Sequence, residues 1–328
     1  MGLMIDGVWH SGDHHDTDKT GGKFVRRDSV FRDWVKADGS SAFAPEAGRY
    51  HLYVVTGCPW AHRTLIARRL KKLEDVIGVT RLVPEMSADG WYFPEQPADG
   101  WEPDPFYGAK ALYHLYLRAD PKCNGKATVP ILWDRKTETI VNNESSEIMR
   151  MLNSEFDTFG DASIDLYPKA LRKEIDEINA ITYDRINNGV YKCGFATTQE
   201  AYEEAFNQLF ETLDDLEARL GRQRYLVGNR ITEADWRLFP TLLRFDFAYY
   251  GYFKTNLRRI LDYPNLMNYL RELYQMPGIR ELAPIEDFKR MYYSLDGAWF
   301  GKPVIIPLGP ENRLDEPHDR DSVPLAAE

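Results

Sequence analysis

The run Arg49-Tyr50-His51-Leu52-Tyr53-Val54-Val55 is β-branched and aromatic with partial alternation, which predicts a strand. It stops at Thr56-Gly57. Pro59 then stands at a first-turn position ahead of Leu65, Ile66 and Leu70, whose spacing predicts a helix. Ile77 to Val83 predicts a second strand, ended by Pro84, and strand-helix-strand is the unit of a parallel sheet. Residues 84–110 are punctuated by Gly90, Pro94, Pro97, Gly100, Pro103 and Pro105 and carry Trp91 and Trp101, so they are expected to form a long loop of the functional kind. Helical spacing returns at Leu112, Leu115 and Tyr116. Ala127 to Asp134 predicts a strand interrupted by Pro130, with Thr139-Ile140-Val141 as its partner across a turn. Asn142 to Glu147 then opens a helix carrying Ile148, Met151 and Leu152. The order β-α-β-α-β-β-α describes an α/β domain over residues 49–156.

Beyond it the pattern is helical only. Leu171, Ile175, Ile178 and Ile181 recur at three- and four-residue steps, as do Phe206, Leu209, Phe210, Leu213, Leu216 and Leu220 ahead of Gly221. Thr232-Glu233-Ala234-Asp235 has capping-box spacing and starts a helix that continues from Trp236 to Phe247. Leu266 to Tyr274 predicts another, before Met276-Pro277-Gly278. An all-helical domain is therefore expected over 157–300. Residues 1–48 are expected to be an arm, irregular from residue 10 on, and the Pro-rich, acidic 301–328 a mobile or surface-laid tail. There is no internal repeat.

Composition narrows the functional classes. The 328 residues are 43% hydrophobic and 13% aromatic, enough for two domains with cores. The opening Met1 to Asp6 lacks the basic-then-apolar layout of a signal peptide, and no stretch of ~18 apolar residues occurs, so neither export nor a membrane span is expected. An odd set of cysteines, Cys58, Cys123 and Cys193, without framework spacing points to a reducing, cytoplasmic setting with at least one free thiol. A formal charge of -10 disfavours nonspecific nucleic-acid binding and leaves room for a local basic pocket.

Cys58 falls where a strand hands over to a helix N-terminus, and the positive end of the helix dipole favours thiolate over thiol there. His62 and Arg63 either add positive potential or face solvent. The bland alternative for Cys58 is a small buried hydrophobe. The residue three places on is Ala61, so a resolving thiol has to come from outside, and glutathione is the obvious cytosolic donor. Pro130 either demotes its strand to an edge or follows a cis peptide; if cis, the Val129 N–H and C=O turn toward a ligand. Glu144-Ser145 at a helix N-terminus suits a carboxylate and an ammonium together, as a γ-glutamyl group presents, although capping by Asn143 or Ser145 explains the same residues without a ligand. His10, His14 and His15 lie in the arm without cysteine partners and read as solvated, so no metal is expected.

Cys58-Pro59-Trp60-Ala61-His62-Arg63, Gly90-Trp91, Thr128 to Asp134, Asn143-Glu144-Ser145, Asn187 to Tyr191, Arg244-Phe245-Asp246 and Tyr274 to Gly278 together resemble the glutathionyl-hydroquinone reductases, the Xi class of glutathione transferases. The likeness runs from about residue 30 to beyond 300. It implies a thioredoxin-like domain followed by an all-α domain, a homodimer, and reduction of aromatic glutathionyl-hydroquinones by glutathione as co-substrate. It also implies Cys58 as nucleophile, and Trp91, Val129, Glu144 and Ser145 as glutathione contacts. Lys126 stands where the family usually has arginine; lysine attracts a carboxylate but loses bidentate geometry. Tyr191, Tyr249 and Tyr292 match tyrosines of the family's aromatic-substrate pocket, and Cys193 stands where a small residue is expected. Two other classes stay open: a conventional transferase, against which Cys58 argues because a Ser or Tyr would be needed at that turn, and a non-catalytic scaffold on the same fold.

Overall fold

A two-residue turn at Asp6-Gly7 folds the first described residues into a hairpin of β1 (Leu3–Ile5) and β2 (Val8–His10). Asp6 at φ 46° and Gly7 at φ 80° supply the left-handed pair that such a turn demands. The structure, a computed structural model, describes residues 2–12, 17–295, 297 and 303–323. His10 is exposed on β2, whereas His14 and His15 lie outside the described residues.

The chain divides into two units. The first comprises Met1–His14, Asp28–Ile164 and Pro284–Ile306. It holds β3 (Tyr50–Val55), α1 (Pro59–Leu70), β4 (Gly78–Leu82), α2 (Leu112–Ala119), β5 (Ile131–Asp134), β6 (Thr139–Asn142) and α3 (Ser145–Ser154). These form a four-stranded sheet in the order β4-β3-β5-β6, with β3 parallel to β4 and the other pairs antiparallel. β3 is buried along its whole length, as expected of a central strand covered on both faces, and α1 packs beside α3. The expected order of elements is therefore found.

One boundary differs. Ala127 to Pro130 lie outside the ladder, and β5 begins only at Ile131, because Thr128 is bound elsewhere. Its N–H donates to the Tyr116 hydroxyl (3.2 Å), which in turn donates to the Thr128 carbonyl (2.8 Å). The Val129–Pro130 peptide is cis.

The second unit comprises His15–Arg27, Asp165–Ala283 and Pro307–Glu328. It contains α4 (Arg172–Thr182), α5 (Gly189–Gly194), α6 (Gln199–Leu220), α7 (Glu233–Arg244), the short α8 (Tyr250–Tyr252) and α9 (Pro264–Gln275). The stripe of α6 buries Ala201, Ala205, Leu209, Phe210, Leu213, Leu216 and Leu220, and that helix packs on α5 and α9. Ile181, expected on the buried stripe of α4, is exposed instead. The capping box at the start of α7 is formed: Ala234 N–H donates to Thr232 Oγ1 (3.3 Å) and Thr232 N–H to Asp235 Oδ2 (2.8 Å). This helix stops at Arg244, short of the expected Phe247, and a π-helical turn over Phe245–Tyr249 follows. In the tail, Leu314 and Arg320 are buried, the guanidinium donating to the Leu220 (2.8 Å) and Gln223 (2.9 Å) carbonyls.

A further helix, α10 (Ile285–Tyr293), belongs to the first unit and went unread in the sequence. Among the described residues no helix is long and apolar enough to cross a membrane.

Candidate active site

Cys58 is the N-cap of α1, with extended backbone at φ -78° and ψ 124° and Pro59 at the first helical position. Its carbonyl accepts the first intrahelical bond, from His62 N–H at 3.1 Å. No acidic side chain stands in the first turn of α1, whose positive end lies at the sulfur. Cys58 is 5% exposed, and its Sγ approaches the Val129 carbonyl at 3.7 Å. That carbonyl belongs to the cis Val129–Pro130 peptide, the second of the two readings that Pro130 allowed. His62 and Arg63 do not face solvent: both are buried, with the Arg63 guanidinium 4.6 Å from the centre of the Trp60 ring.

The close approach of α10 explains Gly57. A Cβ there would lie 2.6 Å from the Met291 Cβ and 2.9 Å from the Asp287 carbonyl oxygen. On the same helix, the half-buried Asp287 carboxylate accepts from the Thr56 hydroxyl and from Trp101 Nε1 (3.5 Å). Burial raises its pKa above the usual carboxylate range, against the pull of those hydrogen bonds and of Arg290. Asp287 therefore ties together the strand end before Cys58, the 84–110 loop and the helix that carries Tyr292, which is itself buried.

The other cysteines are poor nucleophiles. Burial pushes the Cys123 thiol up to about 11 and the Cys193 thiol up to about 12, and among the described residues no cysteine is in a disulfide.

Glu144 is the N-cap of α3, its carboxylate accepting from Ser146 N–H (3.1 Å) and the Ser29 hydroxyl (3.2 Å). Capping thus falls to Glu144 and not to Asn143 or Ser145. Asn143 is occupied otherwise: Nδ2 donates to the Tyr116 hydroxyl (3.0 Å) and Oδ1 accepts from Phe31 N–H (3.0 Å). The Ser145 hydroxyl is buried at the same helix end and bonded to no described group, an acceptor-donor left over for something else. Tyr116, which sequence reasoning had used only as a helix marker, thus joins the Thr128-Val129 segment to the start of α3. Trp91 is buried in the loop, and Lys126 is half-buried.

Tyr191 and Tyr249 belong to the second unit, Tyr292 to the first. Within the second unit Tyr191 and Tyr249 are 6.1 Å apart between ring centres, and both pack on Phe253 at 5.3 Å and 5.4 Å. The Arg26 guanidinium lies 4.9 Å from the centre of the Tyr191 ring while its Nε donates to Asn188 Oδ1 (2.7 Å).

Residues 57–155 match the glutathione S-transferase N-terminal domain and residues 199–272 its C-terminal domain. The chain is 50% identical over 327 residues to glutathionyl-hydroquinone reductase YqjG of Escherichia coli K12, covering 98% of this chain and 99% of that protein. It is 50% identical to glutathionyl-hydroquinone reductase PcpF of Sphingobium chlorophenolicum, covering 96% and 98%. The glutathione-bound structure of YqjG superposes with a TM-score of 0.88 over 98% of this chain and 99% of that chain, at 47% identity. The Xi-class glutathione transferase of Natrialba magadii does so with a TM-score of 0.90 over 98% and 97%, at 44% identity. The chain belongs to the Xi class of glutathione transferases, the glutathionyl-hydroquinone reductases.

Proposed function

We propose that this protein reduces glutathionyl-hydroquinones to hydroquinones through a Cys58-glutathione mixed disulfide. The observation that carries the reading is Cys58 as the N-cap of α1, at its positive end and with no acidic residue in the first turn. The Cys58 thiolate attacks the substrate's sulfur and forms an S–S bond. The carbon–sulfur bond breaks, its electron pair stays on the ring carbon, and a proton is delivered there. The thiolate of a second glutathione attacks the mixed disulfide, which releases oxidised glutathione and restores Cys58.

The γ-glutamyl end of glutathione is assigned to Glu144 and Ser145. The unused Ser145 hydroxyl suits the carboxylate, and the Glu144 carboxylate the ammonium. Val129 takes the peptide portion, with Trp91 and Lys126 flanking it. Tyr191, Tyr249 and Tyr292 serve the aromatic portion, by holding the phenol oxygens or supplying the proton. Replacing each with phenylalanine keeps the ring and removes the hydroxyl. A lost hydrogen bond of about 1 to 3 kcal/mol predicts a fall of roughly five- to hundredfold in kcat/KM for a glutathionyl-hydroquinone. Reduction of the mixed disulfide of glutathione and hydroxyethyl thiol, whose leaving sulfur needs no phenol partner, is expected to hold steady. An equal loss in both assays for all three variants would assign the tyrosines to structure or to the glutathione half.

The protein is further proposed to act in the cytoplasm, where glutathione keeps its thiols reduced. It is expected to form a homodimer, and sedimentation at micromolar concentration checks this: a 38.0 kDa species alone would contradict it.

A further inference from the structure

The β1–β2 hairpin adds little to the core of its unit. Met4 is buried, but Ile5 and Val8 are exposed. It nonetheless grips two loops that α2 separates in sequence. On one side Met4 pairs with Gly125 through Met4 N–H to the Gly125 carbonyl (2.8 Å) and Gly125 N–H to the Met4 carbonyl (3.0 Å). Gly7 N–H donates to the Cys123 carbonyl (3.2 Å) and Asp6 N–H to Asn124 Oδ1 (2.9 Å). A Cβ on Gly7 would lie 2.0 Å from the Pro121 carbonyl oxygen, so this contact admits only glycine. On the other side the Trp9 Nε1 donates to the Ala88 carbonyl of the 84–110 loop (3.2 Å), while its ring stacks on Tyr113 in the first turn of α2, ring centres 4.5 Å apart and 7° from parallel. A Cβ on Gly90 would meet the Trp9 ring at 3.1 Å.

The two anchors are one cross-strand pair, because Met4 faces Trp9 in the hairpin register. Facing residues of an antiparallel pair are held about 4.5 to 5.5 Å apart. The anchored loops each end one residue short of a proposed glutathione contact: Gly90 precedes Trp91, and Gly125 precedes Lys126. We propose that the β1–β2 hairpin is a positioning brace for glutathione, fixing the loop that carries Trp91 relative to the loop that carries Lys126 and Val129. The proposal rests on the assignment of those three residues to glutathione made above. Met4 bonds to Gly125 and Trp9 to Ala88, so in this proposal they act through Lys126 and Trp91.

The test is calorimetric binding of S-methylglutathione, which cannot react, to the full chain carrying Trp9→Ala, with Trp9→Phe and Lys126→Ala alongside. Trp9→Ala is expected to raise Kd about tenfold while kcat at saturating glutathione stays within about twofold, a split that simple destabilisation does not produce. Trp9→Phe, which keeps the stack on Tyr113, is expected to recover part of the affinity and covers the case in which the alanine variant folds poorly. A Kd within about twofold of wild type for Trp9→Ala, with Lys126→Ala weakened, would overturn the brace and leave the glutathione assignment standing. If Lys126→Ala binds as wild type does, the assignment itself fails, and the brace with it.

Discussion

Replacing Cys58 with alanine is expected to lower kcat for a glutathionyl-hydroquinone by at least about a hundredfold, ~2.7 kcal/mol in transition-state terms, while the fold survives. The chemistry needs a thiolate that forms an S–S bond and is later released from it. Neither alanine nor serine does both, so Cys58→Ser is expected to match Cys58→Ala. No substitute stands by. The Cys123 and Cys193 thiols, pushed up to about 11 and about 12 by burial, are protonated at neutral pH. Structurally the change removes one sulfur and its 3.7 Å contact with the Val129 carbonyl, a loss on the order of 1 kcal/mol. Steady-state turnover, with mass spectrometry for the glutathione adduct and a thermal melt on the same samples, checks both halves. Residual kcat above about a tenth of wild type would mean another nucleophile.

Burial of Cys58 does not by itself separate a catalytic from a structural cysteine, since the small-hydrophobe reading predicts the same low exposure. The discriminating feature is its place at the helix end. That was legible in the sequence because Gly57, Pro59 and the apolar spacing of α1 are local signals. The strands and long helices were legible for the same reason: a fully buried strand and a striped helix write their period into consecutive residues. Two elements were legible and went unread. Asp6-Gly7 between Leu3-Met4-Ile5 and Val8-Trp9-His10 is a strong short-range hairpin signal. Helix α10 announces itself by Pro284, by Glu286 and Asp287 in its first turn, by Arg290 in its last, and by Ile285, Phe288, Met291 and Tyr292.

What the sequence hid is long-range. Nothing near Thr128 says that its backbone will bond to Tyr116 and leave the ladder, and nothing near Thr56 points to Asp287, 231 residues away. Nor does the Asn143-Glu144-Ser145 string say which residue caps. That is decided by Phe31 and Tyr116, which engage Asn143 and leave the cap to Glu144. The Ser145 hydroxyl beside that cap is buried and bonded to no described group, and the glutathione assignment leans on it.

The second large effect concerns the register that brings Cys58 to Val129. Strands β3 and β5 run antiparallel with Tyr50 opposite Asp134 and Tyr53 opposite Ile131, so the end of β3 that leads to Cys58 lies beside the start of β5 that follows Val129. At the far end Arg49 grips Asp134 bidentately, Nε to Oδ1 at 2.9 Å and Nη2 to Oδ2 at 2.7 Å, with both side chains buried. A one-residue slip of this pair would turn every side chain of β5 to the other face. Asp134→Ala leaves the buried Arg49 cation with only the longer contacts to Glu46 (3.8 Å) and to the Ala44 (3.4 Å) and Ala42 (3.5 Å) carbonyls, which predicts a loss of about 2 to 3 kcal/mol in unfolding free energy. Burial opposes ionisation of Asp134, but the bonds from Arg49, Thr137 and the Lys136 N–H outweigh it and hold its pKa below the usual carboxylate value. A depressed folded pKa contributes stability that is fully present above the unfolded value of about 3.9 and is lost as pH falls through the folded one. Urea denaturation is therefore expected to show a constant gap between wild type and Asp134→Ala from pH 5 to 8, closing as pH drops below about 4. A gap under about 1 kcal/mol at pH 7 would show that the ladder holds register without the ion pair. Glutathione turnover by Asp134→Ala at a temperature where it stays folded then reads how far the pair at one end of the strands governs the Cys58-Val129 contact at the other.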